Sequence, residues 1–385
     1  MASRELAEHA GYLRDTHRLA AFQAALSGAL AGRELSVLDL GSGTGILGLM
    51  AAAAGARIVY SVESGAIVGT AAEVARRNEL ADRIEHMHGI STEIELPERV
   101  DVAVCDQIGG FVHDGGILRH FSDVRRRLLA PDGVLIPERF RLFLAPATCD
   151  PVRRQIDLWR SRPEGFDLSS FSQHAVNAEH YVFPEEVEPI ASGVEVADVS
   201  SDHVDPITGG GTARIDRDGE LDGLLGWFEA DLGAGSSLTN RPGAADRMDR
   251  WCTFYPLDHR CETSRGDTVR FSIDVRPILN AVSWNVTVER HDGVRTERHS
   301  TLLGAFIAQN ELERAHGVPI VLTRVGKAVR DMLGLVDGSR PEAAIIAATR
   351  PGELGGPSVE KTLRETLRRF SSTPGSDGRD GQSRT

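Results

Sequence analysis

Val37-Leu38-Asp39-Leu40-Gly41-Ser42-Gly43-Thr44-Gly45 is the stretch whose reading decides the fold. Leu35–Leu40 is apolar enough for a buried strand. Three glycines at alternate positions follow it, and then comes Ile46–Ala54, a run of small apolar residues that reads as a helix ended by Gly55. Glycines between a strand and a helix let the backbone turn sharply and come close to a ligand. Working outward, Arg57–Val62 is a second strand and Ala66–Asn78 a second helix. Ile84–His88 and Val100–Cys105 are further strands, and Ile117–Leu129 is a further helix. Pro131-Asp132-Gly133 reads as a turn before a strand at Val134–Ile136. This alternation predicts a parallel sheet with helices on both faces. Upstream, Leu6, Tyr12, Leu13, Leu19, Phe22 and Leu26 predict one helical segment over residues 5–31.

The character changes after Pro137. Between Phe140 and Asn285 the apolar runs are short and separated by Gly, Asp and Pro clusters, as in Leu142-Phe143-Leu144 and Val269-Arg270-Phe271-Ser272-Ile273. That pattern predicts an all-β sandwich or barrel with a helical or irregular insert at residues 155–173. Helical runs return at Leu302–Ala315, Leu322–Leu335, Glu342–Thr349 and Ser358–Phe370. The expected organisation is an α/β domain over 1–137 and a β domain over 138–299. A C-terminal helical module over 300–370 and a disordered tail over 371–385 complete it.

The glycine loop carries chemistry. Its spacing is G-x-G-x-G with Asp39 two residues ahead, and Glu63 ends the next strand. A pyrophosphate would be repelled by Asp39, whereas a ligand with sulfonium and ammonium charges suits it. Glu63 stands where a carboxylate accepts hydrogen bonds from two ribose hydroxyls. Together these point to S-adenosyl-L-methionine and away from a dinucleotide. A G-x-S-x-G elbow and an H-E-x-x-H pair are absent from the sequence, and Gly326-Lys327 is followed by Ala328, so no phosphate loop is complete. His86 and His88 share a strand face with no third ligand near them, so they read as structural and no metal is expected.

From these residues outward the sequence resembles the protein arginine methyltransferases, over about residues 5–296. The resemblance is carried by Val37–Ala56 with Glu63, by Glu95-Leu96-Pro97, by Pro131–Pro137 and by Gly165-Phe166-Asp167-Leu168. Asp249-Arg250-Trp251 lies where the family has Thr-His-Trp, and Asp274-Val275-Arg276-Pro277 is also family-like. The resemblance implies a Rossmann-like, seven-stranded methyltransferase domain followed by a β-barrel, and a homodimer made through an arm around residues 155–173. It implies cofactor contacts from His9, from Arg18 to the methionine carboxylate, and from Gly41, Gly43 and Gly45. The family's adenine-contacting glutamate falls on Thr92, with Glu93 beside it.

The departures lie in one stretch, Cys105–Gly116. The family holds its arginine between two glutamates. Here the first is Asp106, and the second falls on Gly115 with Asp114 before it. The family histidine is Arg250, a cation beside a pocket meant for a guanidinium. The candidate catalytic set is therefore Asp106, Asp114 and His113, with a carboxylate or imidazole to take the acceptor's proton. The reading favours methyl transfer to nitrogen or oxygen of a non-standard acceptor, a metabolite or peptide. The alternatives are a protein arginine methyltransferase with a reworked pocket, and a cofactor-binding pseudoenzyme acting through its C-terminal module. That module is similar to a small winged-helix domain.

A formal net charge of −13 over 385 residues disfavours a nucleic-acid surface, although Arg364, Arg368 and Arg369 form a local basic group. The longest apolar stretch, Ile46–Ala56, is too short to span a bilayer. Four scattered cysteines and a polar start without signal-peptide character predict a cytoplasmic setting.

Overall fold

The structure, a computed structural model, describes residues 2–291, 293–306, 322, 324–336, 339–351 and 357–369. The chain divides into two compact units, Met1–Phe306 and Ile307–Thr385.

The first unit opens with α1 (Ala2–Arg14) and α2 (Thr16–Leu30). The single helix expected over 5–31 is interrupted at Asp15. Its backbone leaves the helical region, and its carboxylate accepts a hydrogen bond from the Arg18 amide at 3.0 Å, capping α2. Then follow β1 (Ser36–Leu40), α3 (Ile46–Ala53), β2 (Ile58–Glu63), α4 (Val68–Arg77), β3 (Ile84–His88), β4 (Val100–Cys105), α5 (Ile117–Arg127) and β5 (Leu129–Ile136). The strands lie parallel in the order β3-β2-β1-β4-β5. Every residue of β1 is buried, as expected for a central parallel strand covered on both faces.

The chain winds one way from β1 to β3 and then returns to lay β4 on the other side of β1. Leu40 pairs with Cys105, so the loops after β1 and β4 leave the sheet side by side. This is the switch point at which open α/β sheets form ligand crevices.

Two expectations are corrected here. The sheet holds five strands among the described residues, not seven, because the chain leaves after Ile136 for the β domain. Pro131-Asp132-Gly133 is also not a separate turn. Pairing with β4 jumps from Val100–Leu129 to Val102–Val134, so these residues form a bulge inside β5 with Pro131 and Asp132 exposed.

The β domain runs through β6 (Arg139–Thr148), α6 (Asp150–Leu158), α7 (Ser172–Val176), β7 (His180–Val182), β8 (Glu188–Pro189), β9 (Val194–Ser200), β10 (Ile207–Arg214) and β11 (Gly219–Gly233). It continues through β12 (Ser236–Thr239), β13 (Cys252–Thr263), β14 (Thr268–Arg276), β15 (Ala281–Arg290), β16 (Gly293–Ser300) and the short α8 (Thr301–Gly304). All its pairings are antiparallel, in two sheets that make a barrel-like body. Val269, Phe271, Ile273 and Val275 alternate inward along β14, facing Val282, Trp284 and Val286 of β15. Trp284 is fully buried and donates its indole N–H to the Pro256 carbonyl at 3.0 Å. The core of this body is continuous with that of the parallel sheet.

The helical run expected from Leu302 is only α8 among the described residues, and 307–321 lie outside them. The second unit contains α9 (Arg324–Leu333), α10 (Glu342–Ala348) and α11 (Pro357–Arg369), packed around Met332, Ile345, Ile346, Leu363 and Leu367. Its described residues are helical or irregular, with no strand that could form a wing. Arg364 of the expected basic group is ion-paired with Glu342 and Glu360, while the side chains of Arg368 and Arg369 and the tail at 371–385 lie outside the described residues. Among the described residues no helix is long and apolar enough to cross a membrane.

Candidate active site

At the switch point a cavity of about 560 Å³ opens between α1, the glycine loop, the loop after β4 and the barrel residues Arg250 and Trp251. The glycine loop forms one wall. Gly41, Gly43 and Gly45 have φ of +69°, +52° and +80°, a region that side chains disfavour. Gly43 also needs its lack of a side chain, because a Cβ there would lie 2.7 Å from the His9 ring. His9 and Gly43 both line the cavity, whereas Gly45 lies behind it and caps the start of α3.

Glu63 at the end of β2 holds this loop. One carboxylate oxygen accepts from the Gly43 amide at 2.8 Å and the other from the Gly65 amide at 2.6 Å. The oxygen on Gly43 keeps a further lone pair, while the one on Gly65 also meets the Ser64 hydroxyl at 3.5 Å. Asp39 lines the cavity from β1, accepting from the Gly48 amide at 2.8 Å. Burial pushes its carboxyl up to about 7, only partly offset by the Gly48 hydrogen bond, and the Glu63 charge raises it further. A cation in the cavity would favour its ionised form.

The loop after β4 supplies the other wall and the main departure from expectation. Asp106 is joined to the Arg18 guanidinium by a two-nitrogen fork, and Arg250 approaches the same Asp106 oxygen at 3.6 Å. Arg18 gives its remaining nitrogen to the Tyr12 carbonyl at 2.9 Å. Arg18 is thus positioned by the protein itself, and each of its terminal nitrogens keeps one N–H at the cavity wall. The other Asp106 oxygen, Oδ1, is buried with no partner among the described residues.

Asp114 lines the cavity but is tied to its own loop, accepting from the Gly110 and Phe111 amides at 2.8 and 3.0 Å. Gly115, where a second glutamate would fall, packs against backbone. A Cβ there would lie 2.2 Å from the Gln107 carbonyl oxygen.

His113 does not line the cavity. It is buried, with Nε2 3.0 Å from Glu179, and Tyr255 donates to the same Glu179 oxygen at 3.1 Å. Burial alone would lower the His113 pKa, but the hydrogen bond and charge of Glu179, with Asp114 nearby, raise it on balance. Thr92 and Glu93 are exposed and outside the cavity lining.

Three residues that sequence reasoning missed organise the site. Asp15 uses one oxygen to cap α2 and the other to accept from the Asp249 amide at 2.7 Å, fixing both arginines' chain segments together. Tyr12 and Trp251 flank the Arg250 guanidinium, with ring centroids 5.3 and 5.6 Å from its carbon. The spacing Asp15-x-x-Arg18 was a visible capping signal. The pairing with Asp249 is long-range and left no local trace. Among the described residues no group of three or more His, Cys, Asp or Glu could hold a metal ion.

A glycine loop at the switch point of a five-stranded parallel sheet, joined to an antiparallel barrel, is an architecture that known methyltransferases share. The family model for ribosomal protein L11 methyltransferase (PrmA) matches residues 20–137. The zebrafish (Danio rerio) protein arginine N-methyltransferase 6 is 35% identical over 162 residues, 40% of this chain and 46% of that protein. The Chlamydomonas reinhardtii protein arginine N-methyltransferase 1 is 28% identical over 280 residues, 70% of this chain and 80% of that protein. The structure of the Trypanosoma brucei PRMT1 enzyme–prozyme heterotetrameric complex with AdoHcy superposes with a TM-score of 0.67 at 22% identity, covering 76% of this chain and 96% of that one. The chain is similar to these protein arginine N-methyltransferases over the stretches given. It spans less than half the length of several curated relatives that it matches.

Proposed function

We propose that the protein is an S-adenosyl-L-methionine-dependent methyltransferase of the protein arginine methyltransferase type. The observation that carries this reading is Glu63 and Asp39 facing one cavity across the glycine loop. Glu63 accepts from ribose hydroxyls, one of its oxygens giving up the long Ser64 hydroxyl contact, and Asp39 supplies negative charge for the ammonium of the amino-acid end. The glycine loop and the start of α3 let the backbone lie close to the ligand. When bound, the cofactor supplies the methyl group on its sulfonium. The protein's task is then to place an acceptor lone pair in line, about 3 Å away, and to keep water out. Asp106 Oδ1 is buried beside the cavity without a partner, so it accepts an N–H or O–H of the acceptor and orients it.

The relatives favour protein arginine as the acceptor, and we take that as the first reading. A second reading rests on Arg250. A buried cation beside Asp106, with Gly115 closed to any side chain, suits a metabolite or peptide acceptor that is not a guanidinium. We assign the exposed Leu158, Phe166 and Phe171 of the 155–173 arm to a homodimer contact, and the four buried, unpaired cysteines to a cytoplasmic setting.

Incubation with S-adenosyl-L-[methyl-³H]methionine and three acceptor pools tests the function: histones, a Gly-Arg-rich peptide and a small-molecule lysate fraction. Methylarginine after protein hydrolysis supports the first reading. Label in the small-molecule fraction supports the second. No label from any pool, with the cofactor bound, overturns enzyme activity in favour of a pseudoenzyme.

A further inference from the structure

We propose that Asn240 is a positioning residue for the acceptor side of the cavity, its one side-chain amide tying the loop after β4 and the Arg250–Trp251 segment to the barrel. The proposal rests on reading the cavity as a methyl-transfer site. Asn240 follows the last residue of β12 and is fully buried. Its Oδ1 accepts from the Phe228 amide of β11 at 2.9 Å. Its Nδ2 donates to the Gly110 carbonyl at 2.8 Å and to the Trp251 carbonyl at 2.9 Å. Both N–H groups of the amide are thus used, on segments 130 and 11 residues away in sequence. A primary amide fits this place because it offers an acceptor on one side and two donors on the other. An aspartate of the same shape would set its second oxygen against two carbonyl oxygens.

The two segments held by Asn240 carry the side of the cavity opposite the glycine loop. The Gly110 amide donates to Asp114, and Asp114 and Trp251 both line the cavity. Arg250, one residue before Trp251, reaches Asp106 at the head of the same loop. Gly110 lies so close to the barrel that a Cβ there would sit 2.8 Å from both Thr253 Oγ1 and Trp251 Cδ1. The register between the loop and Trp251 is therefore tight, and the Asn240 amide spans it. Asn240 itself does not line the cavity, so it acts through these neighbours. The glycine-loop wall is built separately, by Glu63 on the Gly43 and Gly65 amides and by Asp39 on the Gly48 amide. Removing the amide's donors leaves a buried Gly110 carbonyl unpaired and releases the loop from Trp251. In-line transfer is sensitive to small misplacements of the acceptor, whereas binding at the glycine-loop wall does not depend on this register.

Four full-length proteins test this, each assayed below its own melting transition: wild type, Asn240→Asp, Asn240→Ser and Val286→Ala. Asn240→Asp keeps the shape and the Phe228 bond but loses both donors, and Asn240→Ser keeps one hydroxyl donor and carries the comparison if the aspartate variant does not fold. Val286→Ala trims the buried core of β15 and controls for general loss of stability. The readouts are calorimetric affinity for S-adenosylhomocysteine, kcat and KM for methyl transfer to a Gly-Arg-rich peptide, and backbone hydrogen exchange over residues 41–45, 106–116 and 249–253. Asn240→Asp is expected to bind S-adenosylhomocysteine within about twofold of wild type while losing about tenfold or more in kcat/KM. Its exchange rises over 106–116 and 249–253 and not over 41–45. Protonation returns one donor, so its deficit against wild type shrinks as pH falls from about 8 to about 6. Asn240→Ser falls between the two, and Val286→Ala keeps the wild-type kcat/KM and exchange pattern. Equal losses of affinity and transfer, the same pattern in Val286→Ala, or folded Asn240 variants that match wild type overturn the assignment. A wild type that binds S-adenosylhomocysteine without methylating the peptide counts instead against the reading beneath it, and hydrogen exchange then decides the role of Asn240 alone.

Discussion

Arg18 and Asp106, 88 residues apart in sequence, close a guanidinium–carboxylate fork beside the cavity, and Arg250 leans on the same carboxylate oxygen. One Asp106 oxygen therefore faces two buried cations, while the other is buried without a partner among the described residues. Asp106→Asn removes the charge while keeping the shape. Breaking a buried pair costs on the order of 3 kcal/mol because the partner is left uncompensated. We expect a loss of that size in urea unfolding, together with loss of methyl transfer. An Arg18→Met/Asp106→Leu double variant is expected to recover only part of that stability, because Arg250 is left without its counter-charge, and to recover no transfer.

Asp39 ties affinity to pH. Its folded pKa of about 7 lies above its ordinary value of 3.8, chiefly because of burial. The fold prefers the neutral carboxyl. Its stability contribution is therefore complete below about 3.8 and is lost as pH rises through about 7. The ammonium group of a bound S-adenosylhomocysteine favours the ionised form, so its affinity is expected to rise between pH 6 and 8. Asp39→Asn should flatten that rise and should itself be more stable than wild type at pH 8. A pH-independent wild-type affinity over this range would remove Asp39 from the site.

Gly115 explains why a second glutamate is missing. A side chain there meets backbone at 2.2 Å, so the loop must move to admit one. Gly115→Ala is expected to cost about 2 kcal/mol or more through overpacking. Gly115→Glu should not create a working paired-acid pocket. The readouts are melting temperature and methyl transfer to a Gly-Arg-rich peptide.

His113 and Glu179 form a buried pair, and the His113 pKa is raised on balance by Glu179 against the opposing pull of burial. The stability this supplies is fully present below the unfolded histidine value near 6.5 and is lost as pH rises through the folded value. His113→Gln should therefore be more destabilising at pH 6 than at pH 9 in parallel urea titrations. It should affect methyl transfer only through loop stability, since the ring lies outside the cavity lining.

Much of this arrangement was legible in the sequence because it is local. The β1–glycine loop–α3 unit is written in consecutive residues, and the inward alternation of β14 and β15 follows from a period of two. The break at Asp15 was hidden because the apolar spacing runs through it unchanged. The bulge at Ala130–Gly133 was hidden because a Pro-Asp-Gly cluster looks the same inside a bulged strand as in a turn. Arg250 was legible only as a misfit. Its place beside the Arg18–Asp106 pair depends on contacts between distant segments that residue types alone do not specify.

The central claim is that Glu63 and Asp39 face a nucleoside-bearing cofactor across the glycine loop. Isothermal titration of the purified protein with S-adenosylhomocysteine, beside Glu63→Ala with an unchanged circular dichroism spectrum, tests it most directly. Saturable one-to-one binding by wild type and a loss of about tenfold or more in the variant are expected, the magnitude of charge-assisted hydrogen bonds to two hydroxyls. No binding by folded wild type, or equal affinity in Glu63→Ala, would contradict it.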